Sequence, residues 1–551
     1  MNILGINQVT GLLSGMHDSA AALVMDGKLV ATMEEERFNR QRHHKGTPHK
    51  AIDYCLKEGG ITIKDIDVIA VSYNPWGFLK NGFFFLSPWA MFSYVANIFV
   101  FSRGVGMLAK KAGGARIMYI DHHLAHAASS YRCAPFKDAN VMTIDGAGEH
   151  DCAGLFEGRG GKLTRLATLP IAYPTDTRPW RSIGKTYSEL TSFLKLGENA
   201  EGKTMGLASY GTPRFDFSKI LKVESWDRCH VDRRNIRTLY GSYERKLETE
   251  PLTQDHKDLA ASLQHALEEA FVHLGEDAYK RTGLRTFALA GGVTLNCNSN
   301  SRLLLSEFVD AVFIQPAAHD GGVALGAALE AMHRVGDGDF VSFPNAYWGP
   351  SYDNDSVEKL LTSAKVSYRK SEHIAADVAR LIKDGKIVGW FQGRSEIGPR
   401  ALGNRSILAN PQIPGMNDKI NNDVKHREVW RPFAPSLTVE SAATYFEGLP
   451  KAKESPYMLQ TFYVKKAYRS TFPAITHIDG SARIQTVSKE QNPRFHELLT
   501  EVGKATGHPM VLNTSFNDKG EPIVCSAFDA LRCYFSTGID ALALGDYLLE
   551  K

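Results

Sequence analysis

Cysteine is sparse and unpatterned in this chain. The seven cysteines (Cys55, Cys133, Cys152, Cys229, Cys297, Cys525 and Cys533) are odd in number and include no C-x-x-C pair. That spacing excludes a disulfide framework and a zinc ribbon, and a reducing cytoplasm is the simplest setting. Neither sign of charge is in excess, with 64 Lys and Arg against 61 Asp and Glu. No Lys/Arg run forms a phosphate-tracking stripe, so the sequence predicts no nucleic-acid partner. The opening MNILGINQV has no charged-then-apolar layout of a signal peptide and reads as a first strand. Long apolar runs are represented by residues 81–102, an uncharged stretch rich in Phe and Trp and long enough to span a bilayer. Pro88, several polar residues and the want of a second such run oppose a span. A buried or homodimer-forming hairpin, or a peripheral patch docking on lipid or an apolar substrate, are the readings left open.

At 551 residues the chain exceeds one core and predicts two large domains or three smaller ones. Internal repetition organises the first part. Gly15 to Val30 and Gly148 to Leu163 each follow a short apolar strand, each contains His-Asp, and each continues as strand, Gly turn and returning strand. Such duplication is expected of an actin-like (ASKHA-type) ATPase fold, with phosphates bound between similar halves. Coincidence between two Gly-rich hairpins is the bland alternative. A helical pattern at 259–281 and strands followed by Gly291-Gly292 and Gly321-Gly322 predict an α/β sheet with ligands at strand ends. Around 336–355 the text turns to Gly, Pro, Asn and Asp without periodicity, so domains of 1–345 and 350–551 are expected.

The chemistry concentrates in Asp121-His122-His123-Leu124-Ala125-His126. Spacing at i, i+4 puts His122 and His126 on one helix face, which suits two imidazoles on one metal. Three histidines in five residues followed by alanines make a poor core helix, which favours a ligand site. Asp145, at the end of the next strand, and Asp320, opening a Gly-Gly turn, would complete a site for Fe²⁺, Mn²⁺ or Zn²⁺ with room for phosphate oxygens. His123 points away, as a supporting or merely packed residue. Backbone N–H groups at Gly291, Gly292, Gly321 and Gly322 can approach a nucleotide. Lys203 is read either as an ammonium near phosphate or as part of a solvated loop. Farther on, GRSEIGPRALGNRS and KHREVWRPF set arginines on Gly/Pro-stiffened loops, a composition that grips phosphates.

These motifs together resemble the NodU/CmcH-type O-carbamoyltransferases, which modify antibiotics, nodulation factors and toxins. The resemblance is carried by HDSAAAL, DHHLAHAASSY, EGKTMGLASYG, GGVTLNC, HDGGVALGAA, GRSEIGPRALGNRSI, KHREVWRPFAPS, HIDGSARIQTV and VLNTSFN, in that order. It implies an actin-like metal- and nucleotide-binding transfer domain followed by a smaller α/β, YrdC-like domain. The second would make carbamoyl-adenylate from ATP, with Mg²⁺, and carbamoyl phosphate. By the same resemblance, iron would sit on His122, His126, Asp145 and Asp320. His17, with Asp18 orienting it, would act on a small-molecule hydroxyl acceptor, and Asn296 would help cradle the nucleotide. Arg400, Arg405, Lys425, Arg427 and Arg431 would bind the triphosphate and carbamoyl phosphate, with Arg483 and Ser515 on the ATP side. Acceptor specificity would lie in loops such as 172–180. A non-transferring nucleotide-binding maturation scaffold is the alternative. Hydrogenase-maturation relatives carry Cys-rich zinc segments not found here, and the neutral charge opposes a tRNA-modifying fusion.

Overall fold

The computed structural model describes residues 1–8, 17–76, 88–171, 181–428, 430–449 and 454–551. Residues 172–180, expected to contribute to acceptor specificity, and residues 81–87 of the uncharged stretch lie outside them. The chain forms two units: Met1–Glu35 with His43–Phe343, and Glu36–Arg42 with Pro344–Lys551.

The first unit contains one topology twice. Strands β1 (Asn2–Ile6), β2 (Ala20–Met25), β3 (Lys28–Glu34), β4 (Val68–Val71) and β5 (Arg116–Tyr119) form a sheet ordered β3-β2-β1-β4-β5. Strands β6 (Asp138–Ile144), β7 (Asp151–Arg159) and β8 (Lys162–Pro170) precede the small hairpin β9 (Leu221–Val223) and β10 (Cys229–Val231). With β11 (Thr286–Ala290) and β12 (Ala311–Ile314), strands β6 to β8 build a second sheet ordered β12-β11-β6-β7-β8. In each sheet an antiparallel meander of three is extended, beyond its first strand, by two successive parallel strands. This is the duplicated actin-like fold that the repeats anticipate. Strands β1 and β6 are buried along almost their whole length, as expected where helices cover both faces.

The histidine segment corrects one expectation. Far from being a poor core helix, His122–Tyr131 has nine of its ten residues buried. Small side chains explain this: a Cβ at Gly326, in helix Val323–Arg334, would overlap the Ala125 carbonyl, so the two helices touch backbone to backbone. Ser129 Oγ donates to the His126 carbonyl at 2.8 Å, which satisfies its hydroxyl inside the core. Asp121 caps the helix by accepting from Leu124 N at 3.0 Å.

The second unit is α/β. Its strands are β13 (Arg369–Lys370), β14 (Val388–Phe391), β15 (Arg405–Ala409), β16 (Ala434–Thr438), β17 (Thr461–Tyr463), β18 (Ser481–Arg483), β19 (Gln485–Val487), β20 (Met510–Ser515), β21 (Ala541–Leu544) and β22 (Tyr547–Glu550). Eight of them form a mixed sheet ordered β13-β22-β21-β14-β15-β20-β16-β19, parallel at β14/β21 and β16/β19. Helices Ile374–Lys383 and Pro493–Thr506 pack Val378, Ile382, Phe495 and Leu499 against Trp390 and Val511. The short segment Glu36–Arg42 is built into this unit: buried Arg37 donates to the Gly398 carbonyl. Arg40 donates to the carbonyls of Ile523 (2.6 Å) and Pro522 (2.7 Å).

Among the described residues, no helix is long and apolar enough to cross a membrane. Helix Pro88–Lys111, which contains the end of the uncharged stretch, leaves Phe99 and Met107 exposed.

Candidate functional site

Three elements bring the first cluster together. The histidine helix presents His122 and His126, the end of β6 presents Asp145, and the turn before Val323–Arg334 presents Asp320. His122 Nε2 and His126 Nε2 lie 3.3 and 3.1 Å from Asp145 Oδ2, and both lie 3.6 Å from Asp320 Oδ1. Asp145 Oδ1 accepts from Gly146 N at 2.6 Å and Gly292 N at 3.2 Å, which fixes the carboxylate plane and leaves Oδ2 to the imidazoles. Burial opposes charge on His122, yet Asp320 and Asp145 outweigh it and its pKa is raised to about 10. Burial likewise opposes charge on Asp145, but hydrogen bonds from His122 and His126 hold its carboxyl well below the usual range. Two imidazole nitrogens and two carboxylate oxygens converging at this spacing fit a divalent cation. His123 is packed: its ring nitrogens meet Thr143 Oγ1 (2.9 Å) and the Asp151 carbonyl (3.0 Å), and burial drives its pKa down to about 3.

His17 stands nearby, half-buried, with Nδ1 2.7 Å from Asp18 Oδ2. Burial opposes its protonation, but the Asp18 hydrogen bond and the charges of Asp320, Asp18 and Asp145 raise its pKa to about 9. Two residues not singled out from the sequence hold this region. Asn7 Nδ2 lies 3.2, 3.1 and 3.0 Å from the carbonyls of His17, Asp18 and Asp320, so one buried amide ties the histidine to the aspartate turn. Glu149 accepts from Asn74 N (2.7 Å) and from His122 N (3.0 and 3.1 Å). Burial, with Asp121 beside it, raises its pKa to about 7.

The glycine turns lie against the same cluster. Gly291 has φ +95°, and a Cβ there would overlap the Ile144 carbonyl; a Cβ at Gly292 would stand 3.0 Å from Asp145 Oδ1. Gly321 and Gly322 are buried in the Asp320 turn. Asn296 and Lys203 are placed otherwise. Asn296 caps helix Cys297–Leu304 by accepting from Ser299 N (3.1 Å) and donates to Gln264 Oε1 (2.8 Å), so both ends of its amide are engaged. Lys203 sits in the first turn of helix Glu201–Ala208, not on a loop.

In the second unit a single π-helical turn, Asn421–Lys425, followed by His426 at φ 45°, carries the basic motif. Lys425 is buried, and its Nζ donates to the Ser515 carbonyl, to Asn517 Oδ1 (2.7 Å) and to the Asn517 carbonyl (3.1 Å). Burial and then the Arg427 and Arg431 charges push its pKa down to about 7. Arg427 donates to Asn421 Oδ1 (2.8 Å) and lies over the Phe433 ring; burial, with Arg431 and Arg483, lowers its pKa to about 9. Burial depresses Arg431 as well, with Arg483 and Arg42 adding to the effect. Lys425, Arg427, Arg431 and Arg483 therefore repel one another in a partly desolvated space, an arrangement that a multiply charged anion would relieve. Ser515 Oγ donates to Asn517 Oδ1 at 2.7 Å beside Lys425.

Arg405 departs from the expected phosphate role. It is fully buried, its Nη atoms donate to the carbonyls of Gln392 (2.6 Å), Asn404 (2.9 Å) and Pro350 (3.0 Å), and its guanidinium stacks 3.6 Å over Phe391. It holds the Gly393–Asn404 loop to the sheet. Arg400 is half-buried on that loop.

Residues 7–77 and 91–329 match the carbamoyltransferase N-terminus family, and residues 379–551 match the carbamoyltransferase C-terminus family. The nodulation protein NolNO of Sinorhizobium fredii is 39% identical across 97% of this chain and 79% of its own. The nodulation protein NolO of Bradyrhizobium diazoefficiens is 39% identical across 78% of this chain and 79% of its own. The 3'-hydroxymethylcephem-O-carbamoyltransferase of Amycolatopsis lactamdurans is 27% identical across 97% of this chain and 98% of its own. Both units thus find their counterpart, and the chain belongs to the carbamoyltransferase family.

Proposed function

We propose that this enzyme makes carbamoyl-adenylate from ATP and carbamoyl phosphate and transfers the carbamoyl group to a hydroxyl of a small molecule. The observation that carries the reading is the cluster of buried Lys425 with half-buried Arg427, Arg431 and Arg483, which suits the phosphates of a donor-forming step. It belongs to a different unit from the His–Asp cluster, so the two half-reactions have separate chemical equipment. Atom balance requires one water: carbamoyl phosphate, ATP and water give carbamoyl-adenylate, pyrophosphate and phosphate. Transfer then breaks the carbonyl–phosphate bond, forms the carbamate ester and releases AMP and a proton.

Arg427, Arg431, Arg483 and Arg400 would bind the phosphates of ATP and carbamoyl phosphate, ATP bringing its Mg²⁺, while Lys425, held by Ser515 and Asn517, would add positive charge beside them. His122, His126, Asp145 and Asp320 would hold a divalent ion, Fe²⁺ by family resemblance, which supplies positive charge for the adenylate phosphate. Gly291, Gly292 and Gly322 give their N–H groups to the Ala318 carbonyl, Asp145 Oδ1 and the His319 carbonyl, so these turns, with Gly321, would serve the nucleotide by lacking side chains that block its approach. His17 takes the acceptor's proton at Nε2, because Nδ1 already donates to Asp18. A cation on Asp145 and Asp320 would offset two of the charges that raise His17, bringing its pKa toward the range of a general base.

Incubation with ATP and carbamoyl phosphate, without acceptor, should release pyrophosphate. R431A with K425M should reduce that release by about a hundredfold or more. No release by the metal-loaded wild type would sink the adenylate reading.

A further inference from the structure

Among its described residues the first unit holds two clusters of histidine and aspartate: His122, His126, Asp145 and Asp320, and a second of His17, Asp18 and His43. Their compositions are alike but their spacings differ. Two ligand atoms each about 2.1 Å from one ion, spread by tetrahedral or octahedral angles, stand about 3.0 to 3.4 Å apart. The His122 cluster has separations of 3.1, 3.3 and 3.6 Å. In the second cluster His17 Nδ1 lies 2.7 Å from Asp18 Oδ2, and His43 Nδ1 lies 2.7 Å from Asp18 Oδ1. Those are lengths of charge-assisted hydrogen bonds.

The proton positions follow. Burial opposes ionisation of Asp18, but the hydrogen bonds from His17 and His43 win and hold its carboxyl well below the usual range. An ionised carboxylate only accepts, so both Nδ1 atoms carry hydrogen and donate. Each Asp18 oxygen has its own imidazole. An aspartate carboxylate turns within a broad, two-fold torsional well, so one donor alone leaves its plane free to swing. A second donor on the other oxygen fixes that plane.

The backbone is shaped for this meeting. Asp18 and His43 both adopt left-handed conformations, at φ 60° and 52°, which are uncommon outside glycine. The two loops are joined by Ser19 N donating to the His44 carbonyl at 3.2 Å. The His17 and His43 rings meet edge to face, with centroids 5.7 Å apart.

We infer that His43 is a positioning residue for carbamoyl transfer: by holding the second oxygen of Asp18 it fixes His17 as the Nδ1–H tautomer, with Nε2 presented to the acceptor. This rests on the reading of His17 as the transfer histidine. During transfer the alcohol proton goes to His17 Nε2 as the alcohol oxygen bonds the carbamoyl carbon and AMP departs. Asp18 and His43 keep their protonation states.

Long-range ¹H–¹⁵N spectra of full-length, metal-loaded protein labelled at histidine, with the His17 signal assigned by its loss in H17Q, test the inference. Followed from pH 7 to 10, wild type should show neutral His17 only as the Nδ1–H tautomer. H43L should show a tautomer mixture. With any alcohol that wild type carbamoylates, H43L should lose about tenfold or more in kcat for transfer while its pyrophosphate release is unchanged. H43N, whose amide nitrogen occupies the Nδ1 position, should keep both the tautomer and transfer within about threefold of wild type. A folded H43L with the wild-type His17 spectrum overturns the inference, as does a second equivalent of bound metal that H43L removes. If H43L fails to fold, H43N decides, and a tautomer mixture there overturns it. A fixed His17 tautomer in wild type without transfer to any alcohol would instead defeat the functional reading and leave the clamp standing.

Discussion

Asp145 gives its two oxygens different tasks, one to backbone N–H groups and one to imidazoles. D145N preserves shape but removes the charge and places an amide against two imidazole nitrogens. Its affinity for Mn²⁺ or Zn²⁺ should fall by about a hundredfold or more, as read by competition with a chromogenic chelator. His17 supplies a pH test on metal-free protein. Its folded pKa, about 9, lies above the ordinary 6.5, so its protonated form stabilises the fold. That contribution is full below pH 6.5 and disappears as pH rises through 9. H17Q should therefore be less heat-stable than wild type at pH 6.5, and the gap in Tm should close by pH 9.5; a gap independent of pH would refute the linkage. Much at this scale was readable beforehand. Helical periodicity alone brings residues four apart onto one face, so His122 and His126 announce themselves. His43, Asn7 and Glu149 do not. Their partners lie 25, 11 and 27 residues away across loops, where no period relates positions in sequence to positions in space.

The pairing of the histidine helix with Val323–Arg334 turns packing into site geometry. G326A would force the two backbones apart at the Ala125 carbonyl, one residue from His126. It should cost roughly 1–3 kcal/mol in denaturant unfolding and weaken divalent-metal binding in the same variant. Three histidines in five residues followed by alanines read as an unfavourable core helix when only side-chain character is weighed. Close backbone approach instead rewards Ala, Ser and Gly, and the matching glycine lies about two hundred residues downstream. The π-helical turn Asn421–Lys425 permits a second test. At pH 8 Lys425, with a pKa near 7, is largely neutral, and a polyanion should restore its charge. Titration of the full chain with inorganic pyrophosphate in buffers of different ionisation enthalpy should show proton uptake at pH 8 that vanishes at pH 6. K425M should abolish it, and zero uptake in wild type would refute the assignment. Arg405 was harder to foresee, since an arginine among glycines serves a loop's carbonyls as readily as a phosphate.

At the scale of the whole molecule, the doubled sheet order was legible because the same strand–loop–hairpin text occurs twice. The order of the eight-stranded sheet was not. It joins β14 to β21 and β15 to β20, pairings set by long returns of the chain that leave no local mark. Nor does sequence reveal that Glu36–Arg42 belongs with Pro344–Lys551. The chain passes from one unit to the other after Glu35, after Arg42 and after Phe343. A fragment comprising 344–551 therefore leaves behind Arg37 and Arg40, whose guanidinium groups cap carbonyls at Gly398, Pro522 and Ile523. Such a fragment should melt several degrees higher when a 36–42 peptide is supplied in trans, as read by differential scanning fluorimetry. Family chimaeras inherit the same constraint. A crossover at residue 343 imports a foreign strap into the recipient's second unit, so a functional exchange must carry seven distant codons with it, and recombination between relatives should favour whole genes over halves.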